Sequence, residues 1–310
     1  MQGPIIVTGA AGFIGQALVH FLSASGSEVM AVDRVQSPAP GRSLIADLTV
    51  PGALDQLADA NTTIFHLAAS ANVPASVDDP RMDLSHTFQV SFEVLETCRR
   101  NRCRLIFPST ASIFDSKSTQ LPLKEEAFPR PSSPYAAAKL ASEAYCFAYH
   151  RCYGLDVRIA RLFSVYGVGM RRLAVHDIIR KIEKNPKEIS ILGDGKQVRD
   201  YLYIDDVVRG LVQIATDGSS GEDYNLASGS PVSVMTLAVT IARLMGVPNI
   251  RINPTGQTFP GDTLRWYADI SKMKQLGFES SIGLEAGLVR TIEWLMGAGS
   301  LASSVGTCQR

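Results

Sequence analysis

The chain has 310 residues, of which 45% are hydrophobic, and its 30 basic and 30 acidic side chains give a formal net charge of zero. A chain of this length buries a core without metals or disulfides, and its balanced charge gives no general attraction to nucleic acid or to an anionic membrane. No apolar run approaches the roughly 20 residues that cross a bilayer, and no basic stretch followed by an apolar signal segment opens the sequence. These features predict a cytoplasmic globular protein that binds neither nucleic acid nor a membrane.

The chain contains five cysteines, and no two of them form a Cys-x-x-Cys pair. An odd number without that spacing argues against a disulfide framework and against a zinc site. We therefore expect reduced cysteines at packing positions and no bound metal.

The first half of the chain alternates short β-branched runs with longer amphipathic segments. Strands are predicted over 5–7, 29–32, 63–66, 104–107 and 155–160, with helices over 13–25, 85–101 and 133–153. This alternation is typical of a parallel sheet covered by helices on both faces. After residue 167, Gly and Pro punctuation indicates a smaller second lobe, with residues 224–227 returning to the main sheet.

A glycine-rich segment, TGAAGFIG at 8–15, lies between the first predicted strand and the first predicted helix. Its glycines Gly9, Gly12 and Gly15 let the backbone approach a pyrophosphate at the positive end of the helix. They are separated by two residues each, unlike the common G-x-G-x-x-G fingerprint, and glycines also close ordinary turns.

Asp33 ends the second predicted strand about 20 residues after this loop, where a carboxylate accepts hydrogen bonds from an adenosine ribose. Its charge repels the 2′-phosphate of NADP. The spacing and the charge therefore predict NAD in preference to NADP, with the adjacent Arg34 as the group that would soften the exclusion.

Tyr135 and Lys139 are four residues apart in the predicted helix over 133–153, so both side chains lie on one face. An ammonium beside a phenol lowers the pKa of the phenol, and Lys139 would also reach the nicotinamide ribose. Many helices carry such a pair without any function. Thr110 lies just after the strand over 104–107, at the sheet end where open α/β folds bind ligands, although a lone threonine there equally caps a turn.

Taken together, these motifs resemble an extended short-chain dehydrogenase/reductase of the NAD-dependent epimerase/dehydratase family, over nearly the whole chain. The further segments that match are DL at 47–48, HLAA at 66–69, RLFSVYG at 161–167, GDG at 193–195 and RDY at 199–201. The resemblance implies an α/β fold, a Rossmann-type doubly wound parallel sheet with a smaller, interleaved substrate-binding lobe. The expected domains are an NAD-binding domain over 1–165 with a return segment over 205–229, a substrate lobe over 166–204 and 230–297, and a flexible tail over 298–310.

The resemblance also implies roles for individual residues. The residues expected to contact NAD are Gly9, Gly12, Phe13, Ile14, Gly15, Asp33, Asp47, Leu48, Leu67, Ala68, Ala69, Tyr135, Lys139 and Phe163. The residues expected to contact a nucleotide-diphosphate sugar are Thr110, Tyr135, Ser164, Arg199 and Asp262. Among these, Arg199 would neutralise the diphosphate, and Asp262 would contact the nucleotide ribose.

The residues after Thr110 bear on the reaction. In the family's 4,6-dehydratases acidic residues follow the catalytic threonine, whereas Ala111 and Ser112 stand here and neither transfers protons at neutral pH. The resemblance therefore favours a 4-epimerase of a nucleotide hexose, with Tyr135 as the base, Thr110 holding the reacting oxygen and Lys139 tuning the phenol. A ketoreductase of 4-keto sugars with the same three residues and a non-catalytic dinucleotide sensor are the alternatives.

The sequence departs from the family pattern at several substrate positions. Phe259 stands where an arginine is usual, with Arg265 nearby, and Ser164 stands where asparagine is usual. An asparagine-rich stretch is replaced by HTFQ at 86–89. Trp266 aligns with a position that limits the room for an N-acetyl group, which favours a plain hexose. The family also implies a homodimer, formed through the helices over 85–101 and 133–153.

Overall fold

The main sheet has seven parallel strands, in a computed structural model that describes residues 3–114, 120–257 and 265–304. Numbered along the chain, its strands are β1 (Ile5–Thr8), β2 (Val29–Asp33), β3 (Arg42–Ile45), β4 (Thr63–His66), β5 (Arg104–Thr110), β6 (Val157–Leu162) and, after three strands of the second lobe, β10 (Glu222–Leu226). Their order across the sheet is β3-β2-β1-β4-β5-β6-β10. The chain therefore leaves β1 toward one edge and returns on its other side at β4, which creates a crevice at the carboxyl ends of these strands.

Helices cover both faces of this sheet. On one face lie α1 (Phe13–Ala24) and α7 (Ile204–Asp217), and on the other lie α4 (Val90–Asn101) and α5 (Pro134–Tyr153). Because side chains alternate along a strand, Ile5 and Val7 pack into the first helical layer and Ile6 into the second. The continuous burial of β1, β4 and β6 follows from this double cover.

The segment before α4 brings polar residues to the crevice. It consists of α2 (Val73–Asp78), α3 (Pro80–Leu84) and a π-helical turn over Ser85–Gln89 that continues into α4. The Asp79 carboxylate accepts a hydrogen bond from Met82 N–H and so caps α3. Similarly, Ser133 caps α5 and Pro134 occupies its first turn, which fixes where Tyr135 leaves the helix.

The second lobe packs against the carboxyl ends of the main strands. Its larger sheet contains β7 (Ser164–Tyr166), β9 (Val198–Tyr203), β11 (Pro231–Ser233) and β13 (Arg265–Trp266), and its smaller sheet pairs β8 (Glu188–Ile191) with β12 (Arg251–Pro254). Its helices are α6 (Leu173–Lys184), α8 (Val234–Leu244), α9 (Ser271–Gln275) and α10 (Leu284–Ser304). A separate apolar core joins α6, α8 and α10 to these sheets.

The predicted fold is confirmed: a doubly wound parallel sheet with a smaller lobe, and a late strand, β10, that returns to the main sheet. The sixth strand lies two residues later than predicted, because pairing with β5 sets its register. Helix α10 extends to Ser304, although the tail was expected to lose regular structure from 298; the extension contains no proline to stop it.

Three further observations concern membranes, cysteines and metals. None of the helices in the described ranges is long and apolar enough to cross a membrane. Cys98, Cys103 and Cys146 are buried free thiols, as expected of packing positions, whereas Cys152 is exposed. No group of three or more potential metal ligands occurs within the described part of the chain.

Candidate active site

In the turn between β1 and α1, backbone atoms lie so close to two glycines that a side chain does not fit at either position. Gly9 has a φ of 67°, and a Cβ there would lie 2.6 Å from the Ala68 nitrogen. A Cβ on Gly15 would lie 2.1 Å from the carbonyl oxygen of Gly9. Gly12 precedes α1 without a capping side chain, and the first turn carries no acidic residue. The amide N–H groups and positive end of α1 therefore remain available to an anion.

Asp33, at the end of β2, lies beside this turn. Its carboxylate accepts hydrogen bonds from the Ala11 N–H at 2.9 Å and from the Arg34 N–H at 2.7 Å. The Arg34 guanidinium lies 3.0 Å from Nε2 of His86, which belongs to the segment that departs from the family pattern. Asp33 therefore holds the glycine-rich turn in place and also presents negative charge at the edge of the crevice.

The two residues expected near adenine differ in exposure. The Asp47 carboxylate is exposed and accepts two hydrogen bonds from Thr49, which hold the pKa of Asp47 below its usual value. Leu48 is buried in the core beneath the sheet. The charges of Arg34 and His86 also lower the pKa of Asp47, so these groups share one corner of the crevice with it.

The end of β4 forms the opposite wall. Leu67, Ala68 and Ala69 are half-buried, and Ala68 N–H donates to the Thr8 hydroxyl at 3.3 Å. That hydroxyl also lies 2.8 Å from Nδ1 of His66. Burial and the charge of Lys139 lower the pKa of His66 to about 3, so this imidazole is neutral at physiological pH.

The described residues fit a dinucleotide. The open end of α1 suits a pyrophosphate, the Asp33 carboxylate suits ribose hydroxyls, and the small residues Ala68 and Ala69 leave space for a planar ring system. Phe13 and Ile14 are half-buried at the start of α1, where Ile14 packs on the cores of both lobes. Phe163 is buried just after β6.

Tyr135, Lys139 and Thr110 come together at the carboxyl end of β5 and the start of α5. Tyr135 is 9% exposed, and the Thr110 hydroxyl lies beside its phenol. The Lys139 ammonium is buried, donates to the carbonyl oxygen of Pro108 at 2.7 Å and lies 4.5 Å from the centre of the Phe107 ring. Lys139 is therefore held in one orientation by the strand next to it.

The pKa of Tyr135 differs from the expectation that Lys139 would lower it. Burial raises the pKa of Tyr135 to about 12, and the negative charge of Asp83 adds to this effect. The Arg172 guanidinium and the Thr110 hydroxyl act in the opposite direction. Burial also lowers the pKa of Lys139 to about 8. The expectation was wrong because removing the phenol from water outweighs the local charges.

Asp83 and Arg172 were not among the predicted site residues. Asp83 lies on α3, and Arg172 immediately precedes α6 in the second lobe. Only the folded chain brings both near Tyr135, since they are 52 and 37 positions away from it in the sequence. In the sequence, Arg172 could have been noticed as one of two consecutive arginines in a Gly-rich turn.

Two predicted substrate residues, Arg199 and Ser164, both contact Trp266 in the second lobe. The Arg199 guanidinium lies 5.0 Å from the centre of the Trp266 ring, and the Trp266 indole donates a long, 3.4 Å hydrogen bond to the Ser164 hydroxyl. Arg265 is exposed beside Trp266 on β13. Asp262 and Phe259 lie outside the described residues.

The Arg-Asp-Tyr and Gly-Asp-Gly segments stabilise the structure of this lobe. Asp200 is buried and accepts hydrogen bonds from Ser228 N–H and hydroxyl and from Gly229 N–H. Gly193 and Gly195 both have positive φ and shape the turn between β8 and β9. These contacts fix the strand on which Arg199 stands.

Comparison with known proteins decides the family. The sequence profile of the NAD dependent epimerase/dehydratase family matches residues 5–227. The chain belongs to the NAD-dependent epimerase/dehydratase family.

Relatives of this family member match along almost their whole length. The UDP-glucuronate 4-epimerase of Thermodesulfobacterium geofontis is 32% identical, with 94% of this chain and 96% of the relative covered. A probable dTDP-glucose 4,6-dehydratase of Sinorhizobium fredii is 29% identical, with 94% and 92% covered. The solved structure of MoeE5 in complex with UDP-glucuronic acid and NAD is 33% identical, with a TM-score of 0.87 and 96% and 100% of the two chains covered. The family and these relatives indicate an NAD-dependent nucleotide-sugar epimerase or dehydratase.

Proposed function

We propose that the protein interconverts nucleotide-diphosphate hexoses at C4, with NAD as the cofactor. The observation that carries this proposal is the meeting of Tyr135, Thr110 and Lys139 at the crevice, in a chain with no carboxylate at the two positions after Thr110. The three side chains suit removal of a hydroxyl proton from a sugar. Without a carboxylate after Thr110, the chain lacks the acid and base that elimination of water requires at those positions.

Each residue has a defined task in this reaction. NAD, held by the glycine-rich turn and Asp33, would supply the acceptor and donor of a hydride at the sugar carbon. The phenolate form of Tyr135 would take the proton from the sugar 4-hydroxyl, and Thr110 would donate a hydrogen bond that positions the same oxygen. Lys139, held by its hydrogen bond to the Pro108 carbonyl, would contact the nicotinamide ribose of the cofactor. The proton returns from Tyr135 when the 4-keto sugar has turned over in the pocket.

The second lobe supplies the contacts to the rest of the substrate. Arg199, stacked on Trp266, is suited to bind a diphosphate because its guanidinium presents a planar set of donors. The indole of Trp266 fills space next to Ser164, which favours a hexose without an N-acetyl group. We include Asp262 as a contact to the nucleotide ribose.

Arg172 favours a sugar that carries its own negative charge. Its positive charge acts on Tyr135 and lowers the pKa of the phenol, which supports a position near the reacting end of the substrate. Two relatives are named for UDP-glucuronate or were solved with UDP-glucuronic acid. Among nucleotide hexoses, we therefore rank the uronic acids above the neutral sugars.

Cofactor choice and assembly complete the proposal. The charge of Asp33 favours NAD over NADP. We also propose a homodimer through α4 and α5, because Tyr145 and Tyr153 are exposed on that surface, and Tyr145 contacts Phe88 and Phe92 edge-on. Exposed aromatic groups of this kind are typical of interfaces.

The proposal is tested by incubating the purified protein with a panel of nucleotide hexoses and following C4 by NMR. The panel pairs the glucose and galactose forms with the glucuronate and galacturonate forms, with and without added NAD. Interconversion without net NADH formation supports epimerisation. Stoichiometric consumption of NADH with a 4-keto sugar would establish a ketoreductase instead, and a 4-keto-6-deoxy product would establish a dehydratase.

A matched variant tests the role of Arg172. Arg172→Gln should raise the KM for a nucleotide uronic acid at least about tenfold while changing that for the neutral hexose little, since only the uronic acid loses a charge partner. Arg171→Gln is the control at the neighbouring position. Equal effects of Arg172→Gln on both sugars would remove the preference for an anionic substrate.

A further inference from the structure

Asn225 is a buried amide on β10 that the proposed reaction does not use. It is 0% exposed. Its Nδ2 donates to the carbonyl oxygen of Leu123 at 2.9 Å and, over a longer 3.4 Å, to the carbonyl oxygen of Asp269. Because both acceptors are carbonyl oxygens, only the nitrogen of the amide can face them. These two contacts therefore fix the orientation of the side chain.

The oxygen of the same amide is unsatisfied. Oδ1 of Asn225 is buried and has no hydrogen-bond partner among the residues that the structure describes. A buried polar atom without a partner destabilises the fold, so an apolar side chain of similar size would be favoured at a position that only had to fill space. The N–H donors of the amide are therefore the part of this side chain that the structure uses.

The carbonyl groups that Asn225 binds belong to two segments that are also hydrogen-bonded to each other. Leu123 N–H donates to the carbonyl oxygen of Tyr267 at 2.9 Å. Asp269 N–H donates to the carbonyl oxygen of Leu123 at 2.8 Å. Asn225 therefore stands at the junction of the two segments and is joined to both.

The first of these segments, 121–127, is also fixed to the edge of the main sheet. The backbone N–H of Asn225 donates to Oε1 of Glu125 at 2.8 Å. The carbonyl oxygen of Glu125 accepts a hydrogen bond of 2.7 Å from Nη1 of Arg161 on β6, the strand next to β10. Through its side chain and its backbone, Asn225 thus connects this segment to the sheet.

The two segments border the candidate substrate site. Leu123 packs in one apolar cluster with Phe163 and Trp266. Trp266 lies three residues before Asp269, and its ring stacks with the Arg199 guanidinium. The strand that contains Trp266, β13, is only two residues long, so its pairing with β9 provides few hydrogen bonds. The position of the indole therefore also depends on the backbone that follows it.

We propose that Asn225 is a positioning residue of the substrate site, whose amide clamps the 121–127 and 267–269 segments together and so holds Trp266 in place. Asn225 itself contacts neither substrate nor cofactor. The place of the indole sets the room beside Ser164, so the clamp acts on sugar binding. That consequence rests on the proposed function, whereas the clamp belongs to the folded chain and is measured without substrate.

The clamp is tested in the ligand-free protein by the fluorescence of Trp266. The chain contains two tryptophans, so Trp294→Phe leaves Trp266 as the single emitter. In this background, Asn225→Asp keeps the size of the side chain but turns a carboxylate oxygen toward two carbonyl oxygens. The segments should separate, and the constant for quenching of Trp266 by acrylamide should rise about twofold or more.

Two controls distinguish a local effect from a general loss of stability. Thr97→Val removes a buried hydroxyl on α4 that donates to Asp55, and it should lower the melting temperature without changing the quenching. Asn253→Asp, at an exposed position on β12, should change neither. Asn225→Ser replaces Asn225→Asp if that variant does not fold. A folded variant at position 225 with the parent's quenching constant would overturn the proposal, even if its melting temperature were lower.

Ligand binding supplies the second measurement. UDP-glucuronic acid, dTDP-glucose and NAD are titrated separately by calorimetry. In Asn225→Asp the dissociation constant of the nucleotide sugar that the parent binds should rise about tenfold, while that of NAD should stay near the parent's value. Equal losses for sugar and NAD would describe general damage and would count against the clamp. If the parent binds neither nucleotide sugar, the proposed function fails, while the quenching of Trp266 still decides the clamp.

Discussion

At the scale of single residues, Asp33 shows how one side chain serves both fold and specificity. Its carboxylate holds the glycine-rich turn through Ala11 N–H, and we propose that the same negative charge faces an adenosine ribose. The sequence predicted the second role from spacing. It did not predict the first, because a hydrogen bond between residues 22 positions apart depends on the three-dimensional approach of β2 to the turn.

Asp33→Asn should weaken the discrimination against NADP. The amide oxygen still accepts a hydrogen bond, while the charge that repels the 2′-phosphate is lost. We expect the ratio of the NADP to the NAD dissociation constant to fall about tenfold, or about 1.4 kcal/mol, by isothermal titration calorimetry. Glu28→Gln, at an exposed position before β2, should leave the ratio unchanged. A parent ratio near one would contradict the proposed NAD preference.

Tyr135→Phe should abolish most turnover without loss of the cofactor. The variant lacks the group that takes the proton, so kcat should fall at least about 100-fold, while the apolar contacts of the ring remain. Tyr149→Phe is the control, since Tyr149 is on the same helix and its hydroxyl donates to Glu96. NMR rates and NAD titration measure the two effects. Near-parental turnover of Tyr135→Phe would exclude Tyr135 as the base.

At the scale of elements, the sequence predicted the strands and helices that have a clear hydrophobic pattern. It missed a strand whose position depends on pairing with its neighbour. The buried strands β1, β2, β4 and β5 were predicted from short β-branched runs, and the helix α5 from its long helical stretch. The edge strand β3 was missed because three of its four residues are exposed, as is usual at a sheet edge. Its place is set by pairing with β2, which no local pattern records.

The β1–α1 turn is the element most sensitive to added atoms. Gly15→Ala would place a Cβ 2.1 Å from the Gly9 carbonyl oxygen, so α1 must move away from the strand. We expect NAD affinity to fall at least about tenfold by titration, together with a lower melting temperature. Gly283→Ala, where nothing lies within 4 Å of the new Cβ, should change neither quantity appreciably. Unchanged NAD affinity in Gly15→Ala would mean that this turn does not contact the cofactor.

A buried ion pair ties α5 to the sheet. Arg161 on β6 donates to both oxygens of Glu143, and the side chains are 6% and 1% exposed. Arg161 also pairs with Asp223, so Glu143→Ala leaves the guanidinium with one carboxylate partner. The free energy of unfolding in urea should therefore fall by about 1.5–3 kcal/mol. Glu28→Ala breaks an exposed pair with Arg42 and should cost less than about 1 kcal/mol. Similar costs for the two variants would contradict the structural role of Glu143.

At the scale of the whole molecule, the candidate site depends on both lobes. Tyr135, Thr110 and Lys139 are positioned by the main sheet and α5, whereas Arg172 and Arg199 stand on the second lobe. Motifs located the first group in the sequence because each lies at the end of a predicted strand or helix. The position of Arg172 relative to Tyr135 follows from the packing of the two lobes, and that of Asp83 follows from the packing of α3 against α5. The motifs encode neither.

The surface formed by α4 and α5 is the proposed interface of the homodimer. Tyr145 is 41% exposed, and its ring lies 5.1 Å from that of Phe88 and 5.8 Å from that of Phe92. Around a two-fold axis the same surface faces itself, so Tyr145→Arg would bring like charges together in an apolar contact. Sedimentation velocity should show a dimer for the parent and a monomer for Tyr145→Arg. Val239→Arg, at a 49% exposed position on α8, should remain dimeric. A monomeric parent, or a dimer that tolerates Tyr145→Arg, would place the interface elsewhere or remove it.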